Sequence, residues 1–173
     1  MHVSLPLIAA LLIGTGASDD AAKEMDRLKV PAKLIPDKSQ PLFLLRAEGV
    51  QIYKGMDKAG KLQWVLDAPG AVLLDYAIGA KVGTHTKGPV WEATDGSKLH
   101  GKLLAKEPAP NPQAVDWLLL EAKGDGGKGR FGSVTHIAHI DTWSGRPPSA
   151  PPDKVGAVVE VRYQATYVYF GSR

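Results

Sequence analysis

Four histidines lie beyond residue 80, at His85, His100, His136 and His139, and the chain contains no cysteine. A site for zinc, copper or iron must then be built from imidazoles and carboxylates. The nearest grouping in sequence is His136, His139 and Asp141. On a strand His139 and Asp141 share a face, while His136 and His139 point to opposite faces and meet at one ion only across a bulge. His85, in "GTHTKGP", reads as a loop histidine beside Lys87 and Trp91, and loops of β-domains tend to carry binding groups. His85, Lys87, Trp91 and Trp143, the last beside a proline-rich loop, are therefore the candidate ligand-binding residues. His136, His139 and Asp141 are the metal candidates. His100 shares the Lys98 and Lys102 side of its strand, a solvated face.

A second pattern with chemical meaning is Gly124, Gly126 and Gly129, which fit G-x-G-x-x-G directly after the apolar run "WLLLEAK". A dinucleotide site needs a strand, this turn and then a helix whose N-terminus faces the pyrophosphate, with an acidic ribose ligand about 20 residues on. Gly129 is succeeded instead by "RFGSVTHIAHIDT", rich in strand formers, and Asp141 lies only 12 residues past Gly129. The cluster reads as a hairpin loop in which glycines supply positive φ, so no cofactor is expected. Gly127-Lys128 is followed by Gly129 and not by Ser or Thr, which removes the P-loop reading. There is no G-x-S-x-G, and Ser133 and His136 face opposite ways on a strand. The carboxylate pairs Asp67 with Asp75 and Glu92 with Asp95 fit turn and edge positions.

The elements that must position these residues are strands. "GVQIYKG" and "KLQWVLD" flank the connection "MDKAG"; "PVWEAT" and "SKLHGKLLA" flank Asp95-Gly96; "AVDWLLLEAK" and "GRFGSVTHIAHIDT" flank the glycine cluster. Each is a hairpin signal. In the closing "GAVVEVRYQATYVYFG", Val159, Val161, Tyr163, Ala165, Tyr167 and Tyr169 share one face, as in a long half-buried strand. The expected fold is all-β, a single antiparallel sandwich or barrel of about eight strands. The loop "SGRPPSAPPD" before the last strand reads as a rigid surface connection. Trp64, aligned with Leu62 and Leu66, and the tyrosine face read mainly as core, although aromatic residues can also line a pocket.

The apolar run at residues 5–13 has signal-peptide length, is too short to span a bilayer, and precedes small residues at Thr15, Gly16 and Ala17. The expected organisation is a signal peptide over residues 1–17 cleaved near Ala17, a lead-in over residues 18–41, and a β-domain over residues 42–171. The lead-in begins with a short helix: Ser18 is its N-cap candidate, Ala22, Met25 and Leu28 follow helical spacing, and Pro31 stops it. Export places the protein in the periplasm or outside the cell. Twenty-one Lys and Arg are scattered among 18 acidic residues for a net charge of +3, without the clustered cations that nucleic acid requires. Neither a nucleic-acid partner nor a membrane span is expected. Lack of cysteine excludes disulfides, thiolate metal sites and cysteine nucleophiles.

The blocks "GVQIYKG", "DAPGAVLLD", "GTHTKGPVWEATDGSKLHGKLLA", "DWLLLEAK", "VTHIAHIDTWSGRPP" and "YQATYVYF", in that order, resemble a family of secreted proteins of unknown function from bacteria and fungi. Its fungal members often carry a misleading malate dehydrogenase label. The resemblance spans residues 42–171 and implies an exported, mostly β domain without an assigned activity. Lys54 stands where the family commonly has a cysteine and His139 where it often has Arg, so the family disulfide is missing. The expected role is that of an exported binding or cell-envelope protein for a small-molecule, glycan or envelope ligand. The alternative is a small metal-dependent or hydrolytic enzyme built on the loop and strand histidines.

Overall fold

The computed structural model describes residues 16–173, so the apolar run at residues 5–13 lies outside the described residues. Eight strands succeed one another as β1 (Ser39–Lys58), β2 (Lys61–Asp75), β3 (Lys81–Thr86), β4 (Val90–Ala93), β5 (Lys98–Glu107), β6 (Trp117–Gly124), β7 (His136–Ser144) and β8 (Val158–Ser172). Each pairs antiparallel with the next, and β8 returns to pair with β1, closing a barrel. Of the two all-β architectures expected, the barrel is the one formed. β1 starts at Ser39, so the strand includes three residues that the sequence assigns to the lead-in.

The hairpin signals are met by local chemistry. Between β1 and β2 only Ala59 and Gly60 form the turn, at φ 55° and 79°, the left-handed pair that a two-residue hairpin needs. The Asp57 carboxylate accepts the Gly60 N–H at 2.8 Å. Between β4 and β5 Gly96 takes φ 84°. The glycine cluster joins β6 to β7 as expected, but the strand resumes only at His136, after a turn through residues 130–133. That delay turns Phe131 into the barrel, where it is fully buried.

Helix α1 (Gly16–Arg27) starts before Ser18, which therefore lies inside the helix and not at its cap. Its buried face is Ala21 and Met25, with Ala22 exposed. The stop also precedes Pro31. Lys29 adopts φ 52° while the N–H groups of Lys29 and Val30 return to the Asp26 and Met25 carbonyls at 3.0 and 3.2 Å, a Schellman ending.

Two cores result, one on each side of the barrel wall. Inside are Leu45, Leu73, Trp91, Leu99, Ile137 and Tyr167. Outside, α1 and Leu34 cover Leu44, Trp117, Ile140 and Val168 on β1, β6, β7 and β8. Alternation in β8 therefore holds as expected only up to Gln164; from Ala165 to Gly171 both faces are buried. The proline-rich loop is tied down against the β1–β2 hairpin, with Trp64 Nε1 donating to the Ala150 carbonyl at 3.0 Å and Gly55 N to Ala157 at 2.7 Å. Trp64 belongs to that outer contact and not to the core, because β1 and β2 run past the barrel proper. Leu66 is half exposed.

Because every connection is antiparallel, the turns alternate between two ends. The end carrying the 94–97 and 125–135 connections is closed by stacked aromatic rings, with Phe43 and Phe131 at 4.8 and 5.2 Å from Tyr169. The other end carries the 87–89, 108–116 and 145–157 connections. Removing the plug in Phe131→Ala should cost about 3–5 kcal/mol, as for other buried aromatic truncations. Urea unfolding monitored by circular dichroism checks it, and a loss under about 1 kcal/mol would show that the ring is not part of the cooperative core.

Candidate functional site

The open end of the barrel contains a cavity of about 340 Å³. Strand β3 supplies His85, which the sequence pattern assigns to a loop. It lies in the strand instead, opposite Trp91 of β4, and faces inward. The turn proper is Lys87-Gly88-Pro89, and the alternation set by buried Gly83 continues to His85. His85 Nδ1 lies 2.9 Å from the Val90 carbonyl, an acceptor only, so Nδ1 carries the proton and Nε2 the free lone pair. The imidazole stacks on Trp91 at 4.3 Å and 11°. Behind Trp91 the chain has Gly101, where a Cβ would stand 2.7 Å from the indole, so only glycine lets the ring lie flat.

Tyr167 of β8 meets the edges of His85 and Trp91 at 5.5 and 5.7 Å, and His139 of β7 stacks on Tyr167 at 5.0 Å. Gln51 of β1 completes the polar part of the lining, and Leu118 and Leu120 of β6 the apolar part. At the rim, Asp67 is held between Lys87 at 2.7 Å and Lys54 at 3.2 Å. These ammonium groups, Lys87 first, lower the Asp67 pKa and keep the carboxylate ionised.

Burial decides the charge inside. Desolvation pushes His85 down to about 4 and His139 down to about 3, with His85 adding a smaller repulsion on His139. Both imidazoles are neutral at pH 7. Burial pushes Tyr163 up to about 12 and Tyr167 well above the ordinary range, so the phenols keep their protons. Within this neutral lining Gln51 Oε1, Trp91 Nε1 and His139 Nε2 are buried without a hydrogen-bond partner. Unpartnered buried groups of this kind cost about 1–3 kcal/mol each.

Of the sequence candidates, His85, Lys87 and Trp91 come together at this end, with Lys87 on the rim. Trp143 does not join them; it is 57% exposed on the outer wall. His139, read as a metal candidate, is instead an interior neighbour of the His85 cluster. His136 lies near Thr135 Oγ1 at 3.0 Å, and Asp141 is exposed at φ 50° in a bulge, so it does not share the buried face of His139. Among the described residues no three His, Asp or Glu side chains converge as metal ligands. Exposed His100 sits 3.3 Å from Asp125. Gln51 was not legible as a site residue, although one signal was present: it is the polar member of an inward series that runs Leu45, Ala47, Gly49, Gln51, Tyr53.

The glycine loop does not form the strand-turn-helix of a dinucleotide site, since Gly129 leads into a turn and then β7. Its Arg130 N–H donates to Asp95 Oδ2 at 2.7 Å, and the Phe131 N–H to Ser97 Oγ at 3.3 Å. Hydrogen bonds from Ser97 and Arg130 hold Asp95 down to about 2, so an anionic carboxylate occupies the place from which a phosphate would have to approach.

Fold and site together define a closed, antiparallel eight-stranded barrel with an aromatic plug at one end and, at the other, a largely apolar cavity with charge at its rim. Residues 36–171 match the family of proteins of unknown function DUF3455, and the chain belongs to it. No curated protein and no solved structure matches the chain closely enough to add to that.

The buried histidines have a consequence for stability. An unfolded histidine takes up its proton near pH 6.5, whereas folded His85 and His139 resist it down to about 4 and 3. The unfolded state therefore binds more protons across this window, and stability falls as pH drops below about 6.5. The slope should approach about 1.4 kcal/mol per pH unit for each imidazole. Thermal unfolding from pH 7.5 to 4.5 checks it: His139→Gln should flatten roughly half of that slope. Identical slopes in the two proteins would show that His139 is not a buried neutral base.

Proposed function

We propose that this protein is an exported binding protein that holds one small, largely apolar, uncharged molecule in the open end of its barrel. The observation that carries the reading is the set of unpartnered polar atoms, Gln51 Oε1, Trp91 Nε1 and His139 Nε2, within an otherwise apolar lining. Native proteins leave few such atoms unmet, and a ligand with a polar edge would satisfy several together. The cavity lies at the lower end of small-molecule site volumes, and eight-stranded barrels are wide enough to hold one small ligand. Neutral imidazoles and protonated phenols favour an uncharged occupant, because an ion would be desolvated without a counter-charge. A metal-dependent or hydrolytic role gains no comparable support, since His136, His139 and Asp141 are not gathered.

Export is supported by the apolar run at residues 5–13. Ala21 and Met25 of α1 pack in the outer core, and cleavage near Ala17 would leave both in place.

N-Phenyl-1-naphthylamine, an uncharged aromatic amine, tests the cavity. Its fluorescence should rise and saturate at one equivalent, and Leu118→Trp, which fills the lining, should abolish the signal without lowering Tm. Gln51→Leu should weaken binding by about tenfold, the loss of one buried hydrogen bond. Absence of saturation, or equal binding by Leu118→Trp, would refute the reading. For export, mass spectrometry of the protein recovered from the periplasm or medium should find an N-terminus near Ser18. Intact Met1 on cytosolic protein would overturn that part.

A further inference from the structure

The outer wall holds a second feature, independent of the cavity. Along β7 the inward residues are Ile137 and His139, while Ala138 and Ile140 face the outer core. Uninterrupted alternation would therefore aim Trp143 into the barrel. Instead, Ile140 pairs with Thr166 and Trp143 with Gln164, so three steps on β7 match two on β8. This bulge, with Asp141 at φ 50°, reverses the phase and puts Trp143 outside. The ring is left 57% exposed.

The surroundings of the indole are polar. On one side a shallow depression is bordered by Arg46, Asn111, Asp141 and Gln164; on the other a second one is bordered by Glu48, Arg162 and Gln164. The Arg46 guanidinium lies 5.6 Å from the centre of the Tyr76 ring and is thereby held in place. Among the described residues the side chains of Glu48, Asp141, Trp143, Arg162 and Gln164 have no hydrogen-bond or ion-pair partner. Two cations balance two anions, and amides supply both donors and acceptors. The apolar cover provided by α1 stops short of this patch, over Leu44, Ile140 and Val168.

We propose that Trp143 and its neighbours form a binding platform for a neutral saccharide chain. The apolar C–H face of a sugar ring lies on the indole, and its hydroxyls reach Asp141, Gln164, Arg46 and Arg162. Protein interfaces have apolar centres with charged groups depleted, whereas here one aromatic ring stands among charges. A polyanion would meet Glu48 and Asp141, so the balance of charge selects an uncharged chain. The proposal does not rest on the cavity reading.

The test is a set of linear hexasaccharides of glucose (β-1,3 and β-1,4 linked), mannose and N-acetylglucosamine, titrated calorimetrically against the full chain. At least one should bind with a Kd below about a millimolar, and Trp143→Ala should weaken it by about tenfold or more with Tm unchanged. Trp143→Phe should restore part of the affinity. Leu118→Trp, which blocks the cavity, should bind the saccharide normally, so the two readings fail separately. No binding by any hexasaccharide, or equal binding by Trp143→Ala, overturns the proposal. So does a wild-type sedimentation coefficient that depends on concentration and loses that dependence in Trp143→Ala, because the ring would then serve contact between copies.

Discussion

β1 hydrogen-bonds to β2 from Leu45 to Lys58 and to β8 from Ser39 to Lys54, and the remaining structure depends on that double pairing. An open eight-stranded sheet would leave two edges and one large apolar face to cover. Closure removes the edges and turns the inward positions of all eight strands toward one another. It also confines the interior to a space that side chains nearly fill. Which part of that space stays free is then a question of where the largest rings go. Phe43, Phe131 and Tyr169 occupy one end, and the cavity remains at the other.

The same closure explains the charge pattern. An imidazole on the inner face has no water with which to share a proton, so His85 and His139 become neutral hydrogen-bonding groups. Two carboxylates at the ends of the barrel are met by cations or amides: Asp67 at the rim by Lys54 and Lys87, Asp95 in its turn by Ser97 and Arg130. Asp67 lies at the open end and Asp95 at the plugged end, so charge surrounds the interior without entering it.

Period-two alternation and turn chemistry made the strands legible. Asp95-Gly96, Gly60 at the end of "MDKAG" and the inward tyrosines of β8 rest on local rules, while Met56 to Lys58, read as part of that connection, extend β1 instead. The candidate site was legible by residue type and less so by placement. His85 looked like a loop residue because the glycines around it signal turns, yet the barrel needs its ring inside. Gln51 had no motif to mark it; its role comes from facing β3 and β7 across the interior, a relation that no sequence window contains. Ala21 takes the place of Ala22 on the helix face because it stands four residues before Met25, one turn away on the stripe that packs against the outer wall.

Two of the places where local rules are broken have different outcomes. In the glycine loop, Gly129 at φ 76° allows backbone to close on Asp95, a contact that a Cβ at 2.8 Å from the carboxylate would prevent. The reward is the buried Phe131 ring, so this irregularity is explained within the fold. At Asp141 and Ser144, non-glycine residues adopt φ 50° and 57°, conformations that cost about 1–3 kcal/mol each. They bring Thr142 Oγ1 to 2.6 Å from the Val115 carbonyl and the Ser144 carbonyl to 2.9 Å from the Val115 N–H, which ties down the 108–116 connection, and they leave the indole exposed. A glycine at either position would relieve the strain, and burial of Trp143 would add apolar packing, yet the sequence has neither. Both irregularities are thus accounted for inside the chain, one by the Phe131 plug and the other by the contacts with Val115, and the exposed indole left by the second is what the proposed saccharide contact would use.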